Sequence, residues 1–180
     1  MPLPTLTTAR LVLRGFTMDD APRLRRLAGA REVAATTPRM PHPYEQGMAE
    51  AWIGGTEAAW DARERLALAV TTHADGVVGG IGLNRVPEHR RAEMGYWIGV
   101  PYWNRGYATE AAGAVLDFAF GELGLNRVMA RYFARNPASG KVLRKLGMTH
   151  EGTLREHVVR WDQLHDLECY ATLAREWRGR

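Results

Sequence analysis

The stretch "YWNRGYATEA", residues 102–111, sets Asn104, Arg105 and Gly106 between a strand-like run ending near Val100 and a helix-like run starting near Ala108. A helix N-terminus leaves backbone N–H groups without intrahelical partners, and the macrodipole makes that end positive. A phosphate or pyrophosphate is the natural ligand of such a turn. Glycine at 106 would let it approach the backbone closely. A plain strand-to-helix turn also needs a glycine, for geometry alone, so the turn by itself supports both readings equally. Two other phosphate motifs are excluded. The P-loop pattern G-x-x-x-x-G-K-[ST] is absent. The nearest dinucleotide fingerprint, Gly80-Ile81-Gly82-Leu83-Asn84-Arg85, lacks its last glycine and lies inside a strand-like run.

Working outward, "ARLVLRGF" (9–16) alternates as a first strand. Asp19 and Asp20 open a short amphipathic helix with Leu24 and Leu27 on one side. "TTPRMPHPYE" (36–45) holds too many prolines for regular structure, and a helix over 45–63 follows, interrupted at Gly54-Gly55. Trp52 and Trp60, at i and i+8, are expected as core residues on one face of it, with an interface or the acceptor groove as the alternative. "RLALAVTTH" and "GVVGGIGLNRV" form a hairpin with Asp75-Gly76 as the expected turn pair. A strand over 91–100, the opening turn, a helix over 108–123 with Gly124 past its end, and a strand over 127–135 come next. Asn136-Pro137 reads as an N-cap with proline at the first helical position, and this helix stops at Gly147. Two closing strands flank Asp162. Three strands run in succession without helices between them, so the fold class is mixed α/β (α+β) with a mostly antiparallel sheet, not a doubly wound one.

The chain has 180 residues, a net charge of +4 and one cysteine. That length suits one domain with a real core. The charge is too mild to announce a nucleic-acid binder. No run approaches the roughly 18 apolar residues of a membrane span. The N-terminal residues lack the pattern of a signal peptide, so a cytoplasmic protein is expected. The lone Cys169 excludes a disulfide framework and a cysteine-rich metal site. It reads as a small core residue of a strand.

Three motifs in order, "AEMGYWIGVPYWNRGYATEA" (92–111), "ARNPASGKVLRKLGM" (134–148) and "EGTLRE" (151–156), resemble the GCN5-related N-acetyltransferase (GNAT) superfamily. Within it, the chain is most similar to the ribosomal-protein N-terminal acetyltransferase (RimJ/RimL-like) group. The likeness runs from "TARLVLRGF" to "YATLAREW", so a single GNAT domain over 1–180 is expected. The family pattern at the acetyl-CoA loop is Gln/Arg-x-x-Gly-x-Gly/Ala; Gly106 and Ala108 match, whereas Trp103 stands at the first position.

The resemblance implies acetyl-CoA as cosubstrate, its pyrophosphate surrounded by Arg105, Gly106, Tyr107 and Ala108, with Thr109 at the helix opening. It implies that Ile98 and Val100 pair with the pantetheine arm, and that this strand and "RVMARYFAR" splay apart to admit the thioester. Asn136 matches the family asparagine on that arm, although an N-cap is its plainer role. Ser139 matches the acid that protonates the departing thiolate; it too sits in a first helical turn, where serine is ordinary. Arg131, Arg135, Lys141, Arg144 and Lys145 gather nearby, with Lys141, Arg144 and Lys145 the first choices for the outer phosphates.

Direct transfer needs a neutral amine. An α-amino group is roughly one-seventh neutral at pH 7, a lysine side chain only about once in 2,500. Glu93, on the same strand face as Trp97, is the carboxylate proposed as base in many relatives, or a solvated strand-end charge. Asp166 matches a subgroup aspartate, and His73 and His165 are weaker candidates. No Ser/His/Asp triad or metal-ligand spacing is present. The expectation is an acetyl-CoA-dependent N-acetyltransferase whose partner is an amine acceptor, either the N-terminus of a ribosomal or other protein or a small molecule such as an antibiotic, polyamine or amino acid. A non-catalytic CoA-binding regulator is the reading from another class. Nucleic acid and membrane are not expected partners, and a homodimer is left open.

Overall fold

The computed structural model describes residues 2–179. Its elements are β1 (Leu6–Thr7), β2 (Val12–Arg14), α1 (Ala21–Ala28), α2 (Arg31–Ala35), α3 (Met48–Gly54), α4 (Thr56–Asp61), β3 (Arg65–Thr72), β4 (Gly76–Val86), β5 (Arg91–Ile98), α5 (Tyr107–Gly121), β6 (Arg127–Phe133), α6 (Pro137–Lys145), β7 (Thr149–Arg160) and β8 (Gln163–Leu173). The strands form one sheet in the order β1-β2-β3-β4-β5-β6-β8-β7. Every neighbouring pair is antiparallel except β5 and β6.

Strand alternation sorts the central residues into two layers. Leu66, Leu68, Leu83 and Met94 turn to one face, where α5 covers them with Ala111, Ala112, Val115, Leu116 and Ala119. The small side chains of α5 allow it to lie close to the sheet. Phe16, Leu24, Ile53 and Val77 form a second cluster with Ala69, under α1 and α3 on the other face.

Between residues 45 and 63 the helix breaks into α3 and α4 at Gly55. The break removes the shared face expected of Trp52 and Trp60. Trp60 is buried at 4% exposure. Trp52 is half-buried, packs edge-on against Phe16 of the second cluster at 5.1 Å, and also lines a cavity.

The first hairpin turn also differs from expectation. Thr72 pairs with Gly76, so the loop is His73–Asp75, and Gly76 is the first residue of β4 with φ 65°. The Asp75 N–H donates to Thr72 Oγ1 at 3.1 Å, which closes three residues rather than two. The last hairpin is the tight one: Arg160 pairs with Gln163, and Trp161 and Asp162 both have positive φ, the geometry of a two-residue type I′ turn.

Asp20 ties β2 to α1. Its carboxylate accepts from Arg14 Nη1 and Nη2 at 2.7 and 2.9 Å and from the Thr17 N–H at 2.8 Å. Burial pushes the Asp20 carboxyl up, but the Arg14 and Thr17 hydrogen bonds outweigh it and hold the group below its ordinary value. A depressed carboxyl stabilises the fold above its unfolded pKa, about 3.9 for aspartate, and that contribution fades as pH falls through the folded value. Asp20→Asn is therefore expected to destabilise by about 1–3 kcal/mol at pH 7. In urea titrations its deficit should shrink progressively below pH ~4; a deficit constant down to pH ~2 would contradict this account.

Candidate active site

The parallel contact between β5 and β6 is brief. Arg91, Ala92 and Glu93 pair with Arg127, Val128 and Met129, and there the ladder ends. Beyond it, β5 follows β4 as far as Gly79↔Ile98, while β6 follows β8 as far as Phe133↔Leu167. The two strands splay, and one edge of β5 from Met94 to Ile98 has no strand partner. The Arg90 carbonyl accepts from Asn126 N–H on the β6 side. Successive strand residues point their amides to alternate edges, so Met94, Tyr96 and Ile98 direct theirs into the gap.

The glycine turn closes one end of this gap. Gly106 caps α5 with φ 81°, and Asn104 before it also has positive φ, 60°. A Cβ at 106 would lie 3.3 Å from the Arg10 guanidinium. Arg10 is locked in place: Nε donates to Glu110 at 2.7 Å and Nη1 to the Arg105 carbonyl at 3.0 Å, and its guanidinium lies 5.1 Å above the Tyr107 ring. Thr8 Oγ1 donates to the same carboxylate at 2.6 Å. Trp103, the residue that departs from the family pattern, folds back over the strand end. Its Nε1 donates to the Ile98 carbonyl at 2.6 Å, and its N–H to the Val100 carbonyl at 3.2 Å. Val100 thus lies in a 3-10 turn past the strand, outside the extended run expected to contain it.

Of the basic residues, Lys145 shares a surface hollow with Gly106 and Thr109. Lys141 is exposed on α6, and Arg144 donates to the Tyr170 hydroxyl at 3.4 Å. Arg131 and Arg135 belong elsewhere. Arg135 donates to the Ala35 carbonyl at 2.8 Å. Arg131 donates to both oxygens of Glu93, at 3.0 and 2.7 Å. Sequence reasoning grouped Arg131 with the phosphate-facing charges because the strand register was unknown. Met129 stands opposite Glu93, which sets Arg131 two residues along on the same face.

At the other end of the gap, Glu93 and Ser139 line one cavity of about 520 Å³, together with Tyr96, Trp97, Trp52 and His157. Asn136 caps α6 by holding Ser139 twice: its Oδ1 accepts the Ser139 N–H at 3.5 Å, and its Nδ2 donates to Ser139 Oγ at 3.1 Å. The backbone donor fixes which way the amide faces. Ser139 Oγ is therefore an acceptor toward Asn136, and its own proton is free to donate into the gap. Tyr96, unremarked in the sequence, donates its hydroxyl to the Ser139 carbonyl at 3.4 Å. Burial pushes its phenol up to about 12, so it stays protonated. Tyr132 abuts Gly140 so closely that no Cβ fits there. The signal for both tyrosines was alternation: they sit on the two strands that part. Asp166 faces away, its carboxylate accepting the Glu156 N–H at 2.7 Å. His165 packs edge-on to Phe133, and His73 lies in the first hairpin loop. Burial pushes the Cys169 thiol up, which suits a non-nucleophilic strand residue. Among the described residues there is no cluster of metal ligands, and no helix is long and apolar enough to cross a membrane.

A splayed sheet with a helix N-terminus at the gap is the architecture of an acyl-carrier-dependent transferase. The Acetyltransferase (GNAT) domain family matches residues 10–149, and the chain belongs to it. The uncharacterized N-acetyltransferase p20 of Bacillus licheniformis is 29% identical over 98% of this chain and 100% of its own. The ribosomal-protein-serine acetyltransferase of Escherichia coli is 28% identical over 55% of this chain and 56% of its own. A GNAT-family acetyltransferase from Bacillus anthracis has a solved structure that superposes with a TM-score of 0.84 at 25% identity, covering 96% of this chain and 100% of its own. The protein is accordingly an acetyl-CoA-dependent N-acetyltransferase.

Gly106→Val forces a β-branched residue into the left-handed region and against Arg10. It is expected to lower stability by about 1–2 kcal/mol or more, visible as a drop in Tm. An unchanged melting curve would mean that the turn relaxes to another conformation at no cost.

Proposed function

We propose that the chain transfers the acetyl group of acetyl-CoA directly to the α-amine of a protein or peptide N-terminus in a ternary complex. The observation that carries this is the unpaired edge of β5, which joins the glycine turn at one end to the cavity holding Glu93 and Ser139 at the other. The free amides of Met94, Tyr96 and Ile98 offer the pantetheine arm a strand-like partner. The N–H groups around Arg105, Gly106, Tyr107, Ala108 and Thr109 suit the pyrophosphate. Lys145 is the outer cation nearest the turn, with Lys141 and Arg144 further along α6. The Ile98 carbonyl already accepts from Trp103; its second lone pair serves the arm, so Trp103 becomes one wall of the donor slot.

In the chemical step the neutral amine attacks the thioester carbonyl, forming the C–N bond. The tetrahedral intermediate collapses with loss of the C–S bond. The Ser139 hydroxyl gives its proton to the departing thiolate and is reprotonated from solvent, while a water held by Glu93 takes the proton the amine loses and passes one on to the carboxylate. Both Glu93 oxygens are engaged by Arg131, so each offers one remaining lone pair and the carboxylate is held in place, reaching the amine through water. An α-amine, already partly neutral near pH 7, asks little of such a relay. A polyamine or lysine, almost wholly protonated there, asks far more. The cavity also offers a polycation no net attraction, because Glu93, its one carboxylate, is paired and Arg39 lines it as well.

Thiol release with acetyl-CoA across an amine panel tests this reading. Glu93→Gln and Ser139→Ala should each lower kcat by on the order of a hundredfold. With saturating acetyl-CoA, kcat/KM should rise with pH and level off near the acceptor's own pKa, about 7.7–8.0 for an α-amine. A rise continuing toward pH ~10 would point instead to an alkyl amine. Acetyl-CoA binding without acetylation of any amine would leave a CoA-binding regulator.

A further inference from the structure

Glu93, Gly95 and Trp97 alternate onto the cavity face of β5, opposite Asn84, Gly82 and Gly80 of β4. Three glycines thus share this sheet face, Gly80, Gly82 and Gly95, but for different reasons, and of the three only Gly95 lines the cavity. A Cβ at Gly82 would collide with the Leu66 carbonyl, and one at Gly80 would lie 2.7 Å from Trp97 Nε1. Close packing demands those two. At Gly95 an added Cβ meets nothing within 4 Å, and Gly95 is not among the glycines with positive φ. Neither packing nor backbone requires a glycine there. The residue is exposed, lines the cavity, and lies in the part of β5 that is paired with β4 but has parted from β6.

We propose that Gly95 is a specificity-determining residue: the space its missing side chain leaves accommodates the substituent on the acceptor's amine-bearing carbon, so the acceptors are α-amines whose carbon carries a side chain. This rests on the acetyltransfer reading above. A thioester laid along the free edge of β5 presents its carbonyl beside Tyr96. An amine reaching that carbonyl from the Glu93 side brings its own carbon over Gly95. An unbranched amine carbon carries one substituent and needs little room there. An α-carbon with a side chain carries two, and the second fits where a Cβ at position 95 would stand. Beyond it, Trp97, Trp52 and Tyr44 form an aromatic wall for the rest of the acceptor.

Gly95→Ala and Gly95→Val test the assignment on the full chain. Valine is favoured in strands, so Tm should not fall. The acceptors are two peptides differing only in their first residue, glycine or valine, with lysines blocked. For the valine-first peptide, Gly95→Val should raise KM by about tenfold or more, with Gly95→Ala between; for the glycine-first peptide the change should stay within about threefold, since a misfit of one or two methylenes commands that scale. Acetyl-CoA affinity, measured by calorimetry, should be unchanged. Equal losses on both peptides, or weakened acetyl-CoA binding, would overturn the assignment and make Gly95 a donor-side residue. An unchanged chain that acetylates only unbranched amines overturns it as well. If the unchanged chain acetylates no amine at all, the acetyltransfer reading itself fails, a result visible before any variant is made.

Discussion

The site depends on where one ladder of hydrogen bonds stops. β5 and β6 pair through three registers and then part, each held by its neighbour on the far side. A buried strand edge with free amides is costly unless something satisfies it. A linear amide-bearing ligand is the chemistry that matches it, as in the proposed seating of the pantetheine arm. That match lies in the backbone before any side chain is considered. The turn at Gly106 sits at the mouth of the same gap because α5 is the crossover joining those two parallel strands. A parallel pair requires such a crossover, and its helix begins where the first strand leaves off. An anion site and an amide ladder therefore come as one geometric consequence.

Side chains then divide the work by strand face. On the helix-covered face, Tyr96 supports the first turn of α6, where Asn136 orients Ser139. On the cavity face, Glu93 is held by Arg131. Each of the two groups proposed to react has a dedicated partner that fixes its direction, and fixed direction is what would let a weak acid or base act at the right moment. The Arg131 pairing leaves each Glu93 oxygen one lone pair, so a proton can reach the carboxylate only from a restricted direction. An acceptor that is already partly neutral needs no more than that.

Much of this was legible in the residues. The turn at 104–106, the Asn136-Pro137 cap, the breaks at Gly54-Gly55 and Gly147, and the element order from β3 onward all rest on local rules, and local rules can be read from a single sequence; the short β1 and α2 cannot, being too brief to show a period. What else could not be read depends on register. Arg131 looked like one of five clustered cations until the Glu93↔Met129 pairing set it beside a carboxylate. Trp52 and Trp60 looked equivalent at i, i+8 until the helix broke between them. The Asp75-Gly76 pair has the composition of a two-residue turn, but the Thr72 hydroxyl shifts the closure by one residue. Conversely, Trp161-Asp162 forms the tight turn without a glycine, because the twist of β7 and β8 imposes it.

The donor and acceptor halves of the site consequently differ in how firmly chemistry constrains them. The donor half is mostly backbone: strand-edge amides, helix N–H groups and a left-handed glycine. Such groups are common to any sequence that folds this way, so the side chain at 103 need not be a phosphate ligand, and Trp103 closes the turn through the Ile98 carbonyl. The acceptor half is made of side chains and of space, and space is set residue by residue. On this sheet face Gly80 is fixed by the Trp97 side chain and Gly82 by the Leu66 carbonyl, whereas Gly95, which lines the cavity, meets no neighbour that requires a glycine. A position of that kind, unconstrained by packing and, in the proposed ternary complex, next to the reacting carbonyl, is where a shared scaffold can change its acceptor at the least cost.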